Sequence, residues 1–151
     1  MRKTGYIGII DRTKKVPKEK KSFRLLYDKE KPILYSYAKI TIGDKVFATD
    51  KAVWDTGATI TIAAHRMARE FPADPVETGT SISATDRSDS DIYLATLELP
   101  GGIIFENIEI WDVDLEVHNA DIVIGMDIIS QGRLVVETVN GIPMFSFEIE
   151  Q

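Results

Sequence analysis

The chain contains no cysteine. That excludes disulfides, thiolate nucleophiles and zinc–thiolate sites, and it fits a reducing compartment. No uninterrupted apolar run approaches the length of a membrane span. The early Arg2-Lys3 pair is followed by an apolar stretch, residues 6–10, that is too short for a signal-peptide core and runs straight into charge. The expectation is a cytoplasmic protein with no membrane partner. What remains is ordinary for a soluble globular chain. Apolar residues make up 44% and charged residues 28% of 151 positions, enough for one domain with a sizeable core.

Charge is unevenly placed. Residues 1–31 hold eleven Lys/Arg against four Asp/Glu, and the other 120 residues hold seven against twenty. The division expected is a basic N-terminal extension over residues 1–31 and a folded domain over residues 32–151. A basic tail can bind nucleic acid, an acidic partner or the acidic body itself. No aromatic residues interleave with the basic ones, so nucleic acid is disfavoured and a solvated extension is the simpler reading.

Along the chain, residues 4–10 form a short apolar strand candidate. Residues 14–21 are charged and broken by Pro17, as a linker would be. Residues 23–27 could add a second short strand. Residues 33–42 are rich in strand formers, Gly43-Asp44 signals a turn, and residues 46–54 return as the second arm of a hairpin. Residues 60–62 suggest a further strand, and residues 63–71 a helix with Met67, Ala68 and Phe71 on one face. Residues 79–84 and 92–99 read as strands flanking a hydrophilic tip at 85–91. Strands are expected at 103–110 and 111–117. In the latter, Asp112, Asp114, Glu116 and His118 alternate with apolar residues. One strand face is poor geometry for wrapping an ion, so a solvated face is expected there and no metal site. His65 has no partner in sequence and is given no role. Residues 133–139, Asn140-Gly141 and residues 142–149 carry a strong hairpin signal, because Asn-Gly suits a type I′ turn.

Two stretches carry chemistry. In Ala52-Val53-Trp54-Asp55-Thr56-Gly57-Ala58-Thr59 an apolar strand runs into a tight turn with one carboxylate. A carboxylate at the end of a buried strand costs free energy unless it is hydrogen-bonded or used. Asp, Thr and Gly are also common in plain strand-ending turns, so the tripeptide alone does not decide the matter. The second stretch is Asp121-Ile122-Val123-Ile124-Gly125-Met126-Asp127-Ile128-Ile129, an apolar strand ending at a glycine before a short helix. The ordered pair, with a hairpin-forming segment between, resembles the retropepsin-like, or retroviral-type, aspartic proteases over roughly residues 33–149.

The resemblance implies an all-β fold: a retropepsin-like acid-protease half-barrel with a flap hairpin and one or two short helices, homodimeric. It implies an aspartic endopeptidase without metal or cofactor, acting on a peptide or protein substrate. Only one Asp-Thr-Gly is present, and Asp127 is not a second copy, so each subunit would supply one Asp55. By the same resemblance Asp55 is general base and acid, Thr56 bonds across the interface, and Gly57 lies beside substrate. Ala58 and Thr59 line the site, and Ser83, Ala84, Thr85, Asp86 and Arg87 cover substrate from the flap. Gly125 would give the acid loop room to pack. The dimer seam is expected from residues 6–10 and 145–149. Thr59 stands where the retroviral pattern often has Asp, and the tip lacks the usual glycines. A catalytically inactive dimeric peptide-binding or scaffold module of the same fold is the competing reading.

Overall fold

A computed structural model describes residues 17–72, 74–82, 87–114 and 119–151. The strand candidate at residues 4–10, the tip residues Ser83, Ala84, Thr85 and Asp86, and Glu116 and His118 lie outside the described residues.

Ten strands and two single-turn helices occupy the described residues. The strands are β1 (Lys20–Leu26), β2 (Tyr35–Ile42), β3 (Lys45–Trp54), β4 (Ile62–Ala64), β5 (Glu77–Ile82), β6 (Arg87–Leu99), β7 (Ile103–Val113), β8 (Ile122–Ile124), β9 (Arg133–Val139) and β10 (Ile142–Glu150). Helix α1 is His65–Ala68 and α2 is Met126–Ile129. The chain is therefore all-β, as expected. Seven strands form one sheet in the order β2-β3-β8-β4-β7-β6-β5, and β2 also pairs with β6. Six strands thus close into a ring and β5 hangs from the outer part of β6. A second sheet has the order β1-β10-β9.

Alternation explains the ring. In β2 every second residue turns inward, with Ser36, Ala38, Ile40 and Ile42 buried. Leu97, Leu99, Ile103 and Phe105 meet them from β6 and β7. The small sheet packs its aromatic face on the same core. Phe145 and Phe147 are fully buried and Phe23 nearly so. In the β9–β10 hairpin, Asn140 and Gly141 both have positive φ, 52° and 80°. That is the type I′ geometry their sequence favours.

Several expectations shift. The residues expected as extension include β1, which pairs along its whole length with β10, from Lys20 against Glu150 to Leu26 against Met144. Residues 145–149 were expected to seam a dimer. They lie in β10, whose two edges are already taken by β1 and β9, so this strand has no free edge to offer a partner. The helix expected over 63–71 shrinks to one turn because Ala63 and Ala64 are drawn into β4. Residues 103–113 form one strand where two were expected. Asp89 and Asp91 belong to β6 and not to a loop tip. Among the described residues no helix is long and apolar enough to cross a membrane.

Candidate active site

Asp55 stands where β3 ends. Its approach is buried, with Ala52, Val53 and Trp54 all nearly inaccessible. Trp54 is held from two directions. Its ring centroid lies 4.8 Å from that of Phe147 and 5.5 Å from that of Phe23. Its indole N–H donates to Ser36 Oγ at 2.8 Å within the core, which meets the need of a buried indole for a partner. The residue before the acid is thus clamped between the ring and the small sheet.

The chain then turns tightly. Asp55 N–H donates to the Ile124 carbonyl at 2.9 Å, and Ala58 N–H donates to the Asp55 carbonyl at 3.1 Å. Gly57 N–H donates to the Asp55 carboxylate at 2.8 Å. A carboxylate that accepts from the turn it heads is fixed in direction as well as position. Asp55 is half-buried while Thr56, Gly57 and Thr59 are exposed. The Thr56 hydroxyl has no hydrogen bond among the described residues. Ala58 packs inward against the apolar group Val53, Ile62, Ala120 and Val123.

The second motif lies directly beneath. β8 runs parallel to β3, with Val53 beside Val123 and Trp54 beside Ile124. A Cβ on Gly125 would come 2.4 Å from the Ile60 carbonyl oxygen and 2.9 Å from that of Ala58. Both obstacles are backbone, so a side chain here would push the acid loop away. The glycine supplies the room expected of it. Just past it, Met126 N–H donates to the Ala58 carbonyl at 2.7 Å and Asp127 N–H to the Thr59 carbonyl at 3.2 Å.

Sequence reasoning missed the side chains that complete this joint. Asp127 accepts from Thr61 N–H at 3.0 Å, from the Thr61 hydroxyl at 2.8 Å and from Ile128 N–H at 3.0 Å. Thr61 is fully buried, and its hydroxyl oxygen in turn accepts from Gly125 N–H at 3.1 Å. One buried hydroxyl therefore links the glycine of the second motif to a carboxylate. The available signal was an Asp in the first turn of a short helix, where free N–H groups invite an acceptor.

A second missed brace sits at the start of β8. Asp121 accepts from the Thr49 hydroxyl at 2.6 Å and from Arg66 Nε at 2.8 Å. Burial alone would raise this carboxyl. The Thr49 and Arg66 hydrogen bonds and the positive charges of Arg66 and Lys51 outweigh it and hold the group below the usual carboxylate range. Arg66 also donates to Asn119 Oδ1 at 2.9 Å.

The structure brings Asp55, Thr56, Gly57, Ala58 and Thr59 together on one loop. Arg87 opens β6, paired with Ile82. Of the acidic row, Asp114 is exposed as expected, Asp112 in β7 is partly covered, and His65 acquires a partner. His65 Nδ1 lies 3.1 Å from an Asp112 oxygen, and the Asp112 side chain is only 16% exposed. The one-turn helix α1 sets His65 beside β7, a neighbour 47 residues away that no local pattern reveals.

No family model and no curated protein matches the chain. Solved structures do. The crystal structure of a retropepsin-like aspartic protease from Rickettsia conorii is 13% identical, with a TM-score of 0.60, and the match covers 91% of this chain and 98% of that one. The chain has the retropepsin-like fold. Two further likenesses have lower TM-scores. The simian foamy virus protease matches at 20% identity and a TM-score of 0.44, over 64% of this chain and 92% of that one. The retroviral protease-like domain of Ddi1 from Leishmania major matches at 18% identity and a TM-score of 0.38, over 73% and 91%. Within this retropepsin-like fold the two sequence motifs form a single hydrogen-bonded unit that presents one carboxylate.

Proposed function

We propose that the chain is one half of a homodimeric aspartic endopeptidase, with Asp55 of each subunit meeting at a two-fold axis. The observation that carries this reading is the acid loop itself. Its inner side is bonded throughout to β8 and α2, while its outer side, Thr56, Gly57 and Thr59, is left exposed. A loop so fixed can hold a carboxylate against a second copy with little further ordering. Closed two-fold symmetry is the commonest form of oligomer.

The chemistry needs two carboxyl groups and one water. One group is ionised and takes a proton from the water, and the other is protonated and donates to the scissile carbonyl. Two carboxylates in contact cannot both ionise cheaply, so they share a proton and titrate as a pair. Asp127 cannot be the second group, since both its oxygens are engaged by Thr61 and one also by Ile128. In this reading Thr56, whose hydroxyl is unengaged among the described residues, bonds across the interface. Gly57 lies beside substrate, and Ala58 and Thr59 line the site. The β5–β6 hairpin acts as the flap, with Ser83, Ala84, Thr85, Asp86 and Arg87 over the bound peptide, where it excludes water.

Asp55→Asn keeps the shape of the loop and removes the acid. It should abolish peptide cleavage and leave circular dichroism and the mass in solution unchanged. Cleavage that survives the substitution in a pure sample defeats the assignment. A wild-type chain that binds peptides saturably and cleaves none at any pH is instead the inactive binding module.

A further inference from the structure

Among the described residues the small sheet ends at an unpaired edge, since β9 pairs with β10 alone. The ladder runs without a register shift from Val139 against Ile142 to Arg133 against Glu148, and β9 carries neither proline nor lysine. Bulges, prolines and lysines are the usual means of keeping a free edge from pairing. The backbone is turned to suit a neighbour. Tyr27 N–H donates to the Pro143 carbonyl at 3.4 Å, so Pro143 faces β1, and it has no N–H to give β9. Thr138, opposite Pro143, therefore points its own N–H and carbonyl away from β10. By strand alternation Val136 and Leu134 do the same.

The side chains along this edge are apolar on the core side and charged on the other. Val136 stands opposite Phe145, on the face that holds the aromatic core. Phe145 is fully buried, whereas Val136 is 53% exposed. The apolar face thus continues to the edge and stops there uncovered. Leu134, opposite Phe147, is half-buried beside it. Arg133, Val135 and Glu137 occupy the other face, and both charged residues are exposed. The ion pair of Arg133 with Glu148, at 3.3 Å, still leaves the arginine side chain 70% exposed.

The order Arg133-Leu134-Val135-Val136-Glu137 is self-complementary. Laid antiparallel on a second copy about a two-fold axis through Val135, it sets Arg133 against Glu137 and Leu134 against Val136 on both sides of the axis. Leu134 and Val136 are the residues whose backbone groups face outward, so in this register they form the hydrogen-bonded pairs. The Arg133–Glu137 pairs fall at non-hydrogen-bonded positions, where side chains stand closest. An axis through Val136 would set Glu137 against Val135, and one through Glu137 would set two glutamates together. Resting on the two-chain reading of Asp55, we infer that the edge of β9 is the seam of the homodimer, paired antiparallel with β9 of a second copy and centred on Val135. The two small sheets run on as one, and the partner strand covers Val136. A second copy is the occupant because the edge matches itself, and because β9 follows α2, whose N–H groups are bonded to the acid loop. A partner held at β9 is held by the unit that fixes Asp55.

The test is sedimentation equilibrium of the full-length chain over a range of concentrations, with peptide cleavage measured on the same samples. Val136→Pro removes an N–H that faces away from β10, and an edge strand accepts proline at such a position. It should weaken dimerisation by about 100-fold or more, because both copies lose bonds across the axis. Circular dichroism checks that the fold is kept, and the charge variants decide the matter if proline disturbs it. Glu137→Arg sets arginine against arginine and should weaken the dimer by about tenfold. Adding Arg133→Glu to it exchanges the two charges and should bring the dimer constant back to within about threefold of wild type. Cleavage at a fixed concentration should fall and recover with the dimer. A wild-type dimer that both single variants leave unchanged overturns the seam and leaves the two-chain reading of Asp55 standing. A double variant no tighter than Glu137→Arg alone overturns it as well. A chain that is monomeric at every concentration overturns both. A dimer that responds as stated but cleaves nothing supports the seam and overturns the endopeptidase.

Discussion

The floor beneath Asp55 and the base of the β5–β6 hairpin treat their carboxylates in opposite ways. Beneath Asp55, Asp127 spends its oxygens on three donors. A few residues away, Asp121 does the same with Thr49 and Arg66. At the hairpin base Asp91 and Asp114 are exposed and have no hydrogen-bonding or ionic partner among the described residues. Charge that is fully hydrogen-bonded within the chain positions backbone. Charge that is left over stays with water and positions nothing. The floor is therefore built for fixed geometry, and the hairpin base leaves its carboxylates to solvent.

Substitutions can break or sharpen that contrast. The largest effect is expected at Gly125. A methyl group there meets the Ile60 and Ala58 carbonyls, which belong to the loop that carries Asp55. Gly125→Ala should cost about 3 kcal/mol in urea unfolding, since backbone cannot step aside as a side chain can. A loss below about 1 kcal/mol would mean that the floor is softer than its hydrogen bonds indicate.

Thr61→Val comes next. It keeps the shape but strips the hydroxyl that Asp127 and Gly125 share. The buried Gly125 N–H and the half-buried Asp127 carboxylate lose a partner, and the expected loss is about 2 kcal/mol by the same measurement. Asp127→Asn should cost less than Thr61→Val, because an amide oxygen still accepts from Thr61 N–H.

Gly79→Ala tests the other side of the contrast. Its Cβ would come 2.4 Å from the outer ring of Trp111 and 2.8 Å from Ile92 Cδ1. These are side-chain ends that can rotate away, so about 1 kcal/mol is expected, well under the Gly125 value. Equal costs at the two glycines would erase the distinction between a rigid floor and a yielding hairpin base.

The smallest effect is a dependence on pH. The Asp121 carboxyl is held below its unfolded value. Its contribution to stability is therefore fully present above the ordinary carboxylate range, and it is lost as pH falls through the depressed value. Urea midpoints measured between about pH 5 and pH 2 should fall less steeply in Arg66→Gln than in the wild type. Parallel curves would show that the Arg66 contact does not stabilise the folded state.

How much of this was legible in the sequence follows the same divide. The strand into Asp55 and the strand–glycine–helix unit at 122–129 were visible because apolar runs and a glycine mark buried strands and close approaches locally. The β9–β10 turn was visible in Asn140-Gly141. Strand β1 was legible only in part: residues 23–27 read as a short strand, but only Phe23 among the seven residues of β1 is buried, so its charged composition assigned it to the extension. Thr61 and Asp127 were hidden for a different reason. They are 66 residues apart and meet only once β8 has been placed between β3 and β4. The His65–Asp112 contact likewise depends on β4 running parallel to β7. That residues 145–149 are paired on both sides was not legible either, because an apolar terminal strand looks the same in sequence whether its edge is open or paired.

The central claim is that Asp55 works only as a pair. It is tested most directly by mixing wild-type and Asp55→Asn chains in equal amounts, under conditions that let subunits exchange, and measuring peptide cleavage against wild type at the same total concentration. A two-chain site leaves activity only in the dimers with two acids, about a quarter of the wild-type value, if subunits associate at random. Activity close to half, unchanged on dilution, would show that each chain cleaves alone and would contradict the account.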